Sequence, residues 1–349
     1  AAATALAYGL TGALPTRPPP PPARLPAGLA PPGLIPLGRE ALPHRWHPRP
    51  DLPSRIAGRT GYLTDARDPA MLVGRILRAG RPHARILAID TAAAEALPGV
   101  RAVVTHRDVP GRNAFGIMRQ DQPALCDSLV RYEGDAVAAV AAIDAETAEA
   151  ALALIAVTYD DLPAVTDPAA ALGPDAPPLH DGGNLAASFA LDRGDPDAAF
   201  AAAAHVVSDT YVTPRQMHGF METEGGWCAP TPEGGLVVCV GGQHGARDRM
   251  QLSRILALPE ARIRVVTSPI GGGFGGKDEL TVQAPLALLV RKAGAPVRLH
   301  LSRAESVLAG VKRNPMTIRM RTACDAEGRL VAQDVDVLSD SGAYASLSP

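Results

Sequence analysis

The chain of 349 residues has few aromatic residues, few cysteines and no long apolar runs. Phe, Trp and Tyr together make up only 4% of it. No apolar run approaches the roughly 20 residues that a membrane-spanning helix needs. The apolar stretches are rich in alanine and are interrupted by Asp and Glu, as in AAIDAETAEAALALIAV. The formal net charge of -2 gives no general electrostatic attraction to nucleic acid or to an anionic membrane.

The cysteines are scattered, and no C-x-x-C pair is present. This excludes the usual zinc and iron–sulfur ligand patterns, so no metal-ligating residue is predicted. We expect reduced core thiols in a cytoplasmic protein. A signal peptide is not predicted, because no basic segment precedes an apolar one at the start. The chain begins with Ala1 and stops at SDSGAYASLSP, within a pattern typical of folded structure, so we expect a piece of a larger polypeptide. The four cysteines are Cys126, Cys228, Cys239 and Cys324.

The length predicts two folded domains. Residues 1–55 are rich in proline and are predicted to be an extended linker or the tail of an upstream domain. Residues 56–165 alternate strand and helix patterns, which is typical of an α/β unit. Residues 166–185 form a second Pro/Gly-rich connector. Residues 186–349 are expected to be a mixed domain truncated at its C-terminus, so the fold class is α+β.

Several local elements can be assigned from pattern alone. The segment DAETAEAALALIAVTYDD predicts a helix capped by Asp144 and followed by a strand. The segment GGWCAPTPEGGLVVCVGGQ predicts a hairpin that turns at PEGG. The segment LTVQAPLALLVRKAG predicts a helix ending at Gly294, and Pro285 is expected to kink it.

The most informative stretch is the glycine loop SPIGGGFGGKDEL, residues 268–280. Its letters fit G-x-G-x-x-G, but the dinucleotide unit opens its domain and carries an acid about 20 residues later, which this chain lacks. They also fit G-x-x-x-x-G-K, yet Asp278 stands where a P-loop needs Ser or Thr to bind magnesium, and its carboxylate would repel a phosphate. A P-loop-type nucleotide-binding module remains an alternative from another class.

The loop and its surroundings resemble the molybdopterin-binding domain of the xanthine dehydrogenase/aldehyde oxidase family of molybdenum hydroxylases. The matching segments are QMHGFMET before the loop, GQ at residues 242–243, and GAPVR, SRAE and SGAYA after it. PHARILAID, ALPGVRAVVTHRDVPG and VTYDDLPAV resemble the α/β "hammerhead" domain of that family. The resemblance spans about 58–349 in the family's order. It implies a hammerhead domain followed by the first part of a mixed α+β molybdopterin-binding domain.

The resemblance also implies site residues. The molybdenum would be held by the pterin rather than by a side chain, and loop backbone N–H groups would face the cofactor. The Gln243 amide would donate to a molybdenum oxo ligand. Asp278 and Arg313 would act on substrate, with Arg313 stabilising charge that develops in the transition state. Asp278 is one methylene shorter than the family's glutamate, which puts xanthine in doubt. The expected cofactor-binding set is Gln243, Gly272, Gly273, Phe274, Gly275 and Gly276.

The activity implied is that of an oxidoreductase that hydroxylates a purine-like N-heterocycle or an aldehyde with water. The cofactor would be molybdopterin, either plain or as the cytosine dinucleotide. Electrons would pass to [2Fe-2S] clusters and FAD on partner domains or subunits, and the remaining C-terminal molybdopterin domain would be a further partner. The catalytic glutamate would belong to that C-terminal region. A carbon monoxide dehydrogenase large subunit, a related reductase and a non-catalytic remnant remain alternatives. No nucleic acid or membrane partner is expected.

Overall fold

The computed structural model describes residues 49–348, so most of the proline-rich segment predicted over 1–55 lies outside the described residues. At its described end, Leu52–Ile56 forms the short helix α1 instead of extended linker. Pro53 stands in the first turn, where a missing N–H costs nothing. Arg55 Nε lies 2.6 Å from the Asp51 carboxylate one turn earlier. The extended conformation predicted for this segment is therefore wrong at Leu52–Ile56, whereas the assignment of residues 1–55 as a linker or the tail of an upstream domain stays a prediction.

Strands and helices alternate irregularly along the rest of the chain. The helices after α1 are α2 (Ala92–Glu95), α3 (Ala145–Leu154), α4 (Pro168–Ala171), α5 (Pro196–Ala202), α6 (Gly245–Leu256), α7 (Gln283–Ala293) and α8 (Arg303–Ala309). The strands are β1 (Leu72–Arg78), β2 (Ala84–Asp90), β3 (Val100–Thr105), β4 (Leu129–Val130), β5 (Ala136–Ala142), β6 (Ala156–Asp161), β7 (His205–Thr213), β8 (Gln216–Met217), β9 (Gly225–Pro230), β10 (Leu236–Val240), β11 (Ile263–Thr267), β12 (Val297–His300), β13 (Lys312–Arg313), β14 (Met316–Cys324) and β15 (Leu330–Ser339).

A seven-stranded sheet forms the centre, in the order β11-β10-β9-β12-β1-β5-β3. Strand β1 runs parallel to β12, with Leu72 opposite Val297, and antiparallel to β5. A Cβ at Gly74 would lie 3.1 Å from the Val297 side chain, so glycine allows this close pairing. The sheet runs across both predicted domains. The boundaries 56–165, 166–185 and 186–349 therefore stay predictions.

Helix α7 covers the central sheet by packing on β3, β5 and β9. Its apolar residues are almost all buried, and it ends at Gly294, whose φ of 65° is the predicted left-handed cap. The expected kink at Pro285 is wrong, because the helix begins at Gln283 and the proline lies in the first turn. The core beneath α7 combines both halves of the chain: Leu72, Val104, Val238, Leu252, Leu286 and Leu299.

Two further sheets have three strands each, in the orders β4-β2-β6 and β15-β14-β7, and β13 pairs with β8. The predicted cap of α3 is confirmed, since the Asp144 carboxylate accepts from the Thr147 N–H. The predicted hairpin is confirmed as β9 and β10. Cys126, Cys228 and Cys239 are buried and free, while Cys324 is half-buried. No helix within residues 49–348 is long and apolar enough to cross a membrane.

Candidate functional site

The glycine loop lies at one edge of the central sheet. Strands β10 and β11 run parallel, so the chain leaves both at the same edge. Gln243 follows β10 and the glycine loop follows β11, which brings them together. Phe274 has a φ of 51° and its side chain is 74% exposed. Gly272 and Gly275 have φ values of 101° and 91°. Glycine makes the last two conformations accessible at no steric cost.

Gln243 is fixed against the loop by three hydrogen bonds. Its side-chain oxygen accepts from the N–H of Gly275 at 3.0 Å and from that of Lys277 at 3.3 Å. The backbone N–H of Gln243 donates to the Lys277 carbonyl at 2.9 Å. A Cβ at Gly273 would lie 2.7 Å from the Gln243 side-chain oxygen, so any larger residue there would push the Gln243 amide out of this position. Because the oxygen is satisfied, the amide nitrogen is left as a donor for a ligand.

The opposite side of the loop packs on the segment that follows β8. A Cβ at Gly276 would lie 2.6 Å from the Phe220 ring and 2.7 Å from His218 Nδ1. A Cβ at Gly271 would lie 2.7 Å from the Cβ of Glu222. Gly271 and Gly276, the first and last glycines of the G-x-G-x-x-G pattern, are therefore needed for close packing against this segment.

Lys277 is buried in the same contact. Its side chain is 2% exposed, and Nζ lies 3.1 Å from Glu222 Oε1. The ammonium also lies 4.8 Å from the centre of the Phe220 ring, a cation–π distance. A P-loop lysine must reach a nucleotide phosphate, which this paired and buried group does not do. The geometry gives the nucleotide-binding alternative no support.

Loop backbone groups provide an anion-binding surface. The N–H of Gly275 bonds to Gln243, and that of Gly276 donates to the Gly273 carbonyl at 2.8 Å. The N–H groups of Gly272, Gly273 and Phe274 have no acceptor within the described residues. Successive free N–H groups beside a left-handed residue suit an anion. The free groups are therefore those of residues 272–274, within the loop whose backbone the sequence predicts to face the cofactor.

Asp278 points toward the start of α6. Its carboxylate lies 2.8 Å from His244 Nε2 and 3.7 Å from Arg247 Nη1. The Asp278 side chain is 23% exposed and that of His244 is 50% exposed. His244 and Arg247 are not predicted from the sequence, although His244 directly follows Gln243.

Arg313 lies apart from the loop. It is exposed, its guanidinium donates to the Pro214 carbonyl at 2.8 Å, and its backbone pairs with Gln216 in β8. No hydrogen bond or ion pair of the described residues joins Arg313 to the glycine loop or to Asp278. The structure thus gathers Gln243, the loop and Asp278, and leaves the role of Arg313 a prediction.

A buried carboxylate lies behind the loop. Asp248 on α6 is 1% exposed, and burial raises its pKa to about 7. The Gln283 amide donates to it at 3.2 Å. A Cβ at Gly242 would lie 3.0 Å from the same carboxylate. Asp248 therefore ties α6 and α7 together behind Gln243. The described part of the chain holds no cluster of His, Cys, Asp or Glu suited to a metal ion.

Comparisons with known proteins define the class first. Residues 179–349 match the family model "Molybdopterin cofactor-binding domain". Residues 57–163 match "Aldehyde oxidase and xanthine dehydrogenase, a/b hammerhead domain". The chain therefore carries a molybdopterin cofactor-binding domain that follows a hammerhead domain.

Individual proteins agree with this class. The chain is 50% identical over 301 residues to a probable xanthine dehydrogenase subunit of Bacillus subtilis (strain 168), spanning 86% of this chain and 40% of that protein. It is 39% identical over 295 residues to the nicotinate dehydrogenase large molybdopterin subunit of Eubacterium barkeri, spanning 84% of this chain and 69% of that protein. The aldehyde oxidoreductase structure from Desulfovibrio gigas superposes with a TM-score of 0.79 at 28% identity, over 84% of this chain and 34% of that one.

These matches confirm the resemblance found in the sequence and the predicted fold class. The chain belongs to the xanthine dehydrogenase/aldehyde oxidase family of molybdenum hydroxylases.

Proposed function

We propose that this chain holds the molybdopterin cofactor and one side of the substrate pocket in a molybdenum hydroxylase that oxidises an N-heterocycle or an aldehyde with water. One observation carries the proposal. Three loop N–H groups without an acceptor lie at the same edge of the sheet as the Gln243 amide, which the loop holds in a fixed orientation. An anionic oxo-metal group bearing a pterin phosphate needs such donors, and no protein ligand to the metal is required.

The residues present fit this cofactor. The free N–H groups of 272–274 would bind its anionic oxygens, and the Gln243 amide nitrogen would donate to an oxo ligand. Phe274, exposed at the tip of the loop, would cover an apolar part of the cofactor or substrate. When bound, the cofactor supplies the oxidising centre that removes two electrons from the substrate. The chain's own contribution is to bind and orient this group.

Substrate class and partners belong to the same proposal. Named relatives include a probable xanthine dehydrogenase and a nicotinate dehydrogenase, both of which point toward N-heterocycles. The names of both relatives call them subunits, which supports iron–sulfur and FAD partners that accept the electrons, together with a further molybdopterin domain. The short Asp278 side chain, tied to His244, makes xanthine a weaker candidate. The carbon monoxide dehydrogenase alternative stays open.

A glycine substitution tests cofactor binding. Gly273→Ala places a methyl group against the Gln243 oxygen, so we expect the purified full-length complex to lose at least half of its molybdenum and pterin. Gly182→Ala is the control, because a Cβ there meets nothing within 4 Å. Metal is measured by mass spectrometry, and pterin by fluorescence after oxidation. Wild-type complex without molybdenum or pterin, or full cofactor content in Gly273→Ala, would contradict the proposal.

A further inference from the structure

The segment that packs under the glycine loop, residues 218–224, belongs to no helix or strand. It lies between β8, which pairs with β13, and β9, which pairs with β12. The backbone groups of this segment therefore need other partners. The chain that follows β12 supplies them. The N–H of Leu301 donates to the Glu224 carbonyl at 2.9 Å, which extends the pairing of β9 with β12 by one bond.

The side chain of Arg303 continues this contact. Its Nη2 donates to the carbonyls of Phe220 and Met221, both at 2.7 Å. Hydrogen bonds from a charged donor are stronger than those between neutral groups. The guanidinium also lies 5.8 Å from the centre of the Phe220 ring. Arg303 is the first residue of α8, and the capping box of Ser302 with Glu305 fixes the start of that helix. The arginine is therefore itself held in place while it holds the segment.

The Phe220 ring connects Arg303 to the glycine loop. The ring is buried, and a Cβ at Gly276 would lie 2.6 Å from it. A Cβ at Gly272 would lie 3.0 Å from the Phe220 Cβ. The Lys277 ammonium lies 4.8 Å from the centre of the same ring. Because buried groups are closely packed, a shift of the ring would displace the loop backbone or leave a gap beneath it.

We propose that Arg303 is a positioning residue for cofactor binding, which fixes the Phe220 ring beneath the glycine loop and so holds the free N–H groups of 272–274 in one orientation. This proposal rests on the proposed function, because those N–H groups are the ones that would bind the anionic oxygens of the cofactor. It also gives a joint role to two sequence motifs. QMHGFMET contributes the ring and SRAE contributes the arginine, 83 residues apart in sequence.

The test measures cofactor content in variants of the full-length complex. Arg303→Met removes both hydrogen bonds and the charge, so we expect the purified complex to lose at least half of its molybdenum and pterin. Metal is measured by mass spectrometry, and pterin by fluorescence after oxidation. Arg303→Lys keeps the charge and a donor, and should retain most of both. Phe220→Leu should also lower the content. The double variant Arg303→Met/Phe220→Leu should lose no more than the worse single variant, because the arginine acts through the ring.

The matched control is Arg131→Met. Arg131 Nε donates to the Leu179 carbonyl at 2.6 Å, and its guanidinium lies 5.9 Å from the centre of the Tyr344 ring. Its loss should lower the urea midpoint, as that of Arg303 does, but leave the cofactor content unchanged. Full cofactor content in Arg303→Met, or an equal loss in Arg131→Met, would overturn the positioning role. Arg303→Gln gives the same comparison if Arg303→Met accumulates poorly. Absence of molybdenum in the wild type would instead count against the proposed function.

Discussion

Lys277 shows how one residue can fit a sequence motif and serve another purpose. In the sequence it completes G-x-x-x-x-G-K, which favours a phosphate contact. In the structure its ammonium is buried between Glu222 and the Phe220 ring, and Arg303 lies over the same ring at 5.8 Å. The motif alone could not distinguish these roles, because the partner lies 55 residues away along the chain.

Removing Lys277 should destabilise the protein strongly. Lys277→Met leaves the Glu222 carboxylate, whose side chain is only 11% exposed, without its partner, which should lower the free energy of unfolding by about 3 kcal/mol. Urea denaturation of the purified protein measures this loss. The double variant Lys277→Met/Glu222→Gln should recover part of it. Lys292→Met, whose partner Asp108 is partly exposed, should cost less than about 1 kcal/mol. Equal losses in the two single variants would contradict the argument.

At the scale of elements, α6 and α7 are joined by a contact that depends on pH. Burial raises the pKa of Asp248 to about 7 from an ordinary value of 3.8. At any pH between 3.8 and about 7, the folded chain therefore binds more protons at this group than the unfolded chain does. The stability contributed by this group is present in acid and is lost as the pH rises through that window.

Asp248→Asn should remove this dependence. The asparagine oxygen can still accept from Gln283, and no buried charge forms at high pH. We expect the free energy of unfolding of the variant, relative to that of the wild type, to rise by about 2–4 kcal/mol from pH 4 to pH 8. Urea denaturation of both proteins at the two pH values measures this difference. Burial also raises the pKa of Glu279 and Asp135, so the difference between the two proteins, rather than the wild-type curve, isolates Asp248. A difference that does not change with pH would contradict the assignment.

Elements were predictable from the sequence where their signals are local. The β9–β10 hairpin, the Asp144 cap and the Gly294 terminus all follow from neighbouring residues. Pro285 was misjudged because its effect depends on where the helix begins. The Asp278–His244 pair and the β1–β12 contact were not predictable, since tertiary packing alone brings such distant segments together.

At the scale of the whole molecule, the end of the described chain is fastened to the first half. Tyr344 Oη donates to the Asp135 carboxylate at 2.9 Å, and the N–H of Ala345 donates to Asp121 at 2.8 Å. The Ser346 carbonyl accepts from the N–H of Met118 at 3.1 Å. These bonds place the SGAYA segment against loops of residues 116–135.

Tyr344→Phe tests that attachment. Asp135 is 1% exposed and would lose the Tyr344 hydroxyl as a donor, although the backbone N–H groups of Arg131 and Tyr132 would remain. We expect the free energy of unfolding to fall by about 1–3 kcal/mol, measured as a shift in the urea midpoint. Tyr211→Phe on the exposed face of β7 is the matched control and should change it by less than about 0.5 kcal/mol. An unchanged midpoint in Tyr344→Phe would show that the bond adds no stability.

The parallel contact between β1 and β12 has a mechanical consequence. Backbone hydrogen bonds of one ladder join segments more than 200 residues apart in sequence, and the same core lies beneath both. Domains that meet only through side chains can swing about a hinge. Here a swing would have to break the ladder. The hammerhead half therefore acts as a fixed frame for the glycine loop, because the two halves of the described chain cannot separate without breaking this ladder.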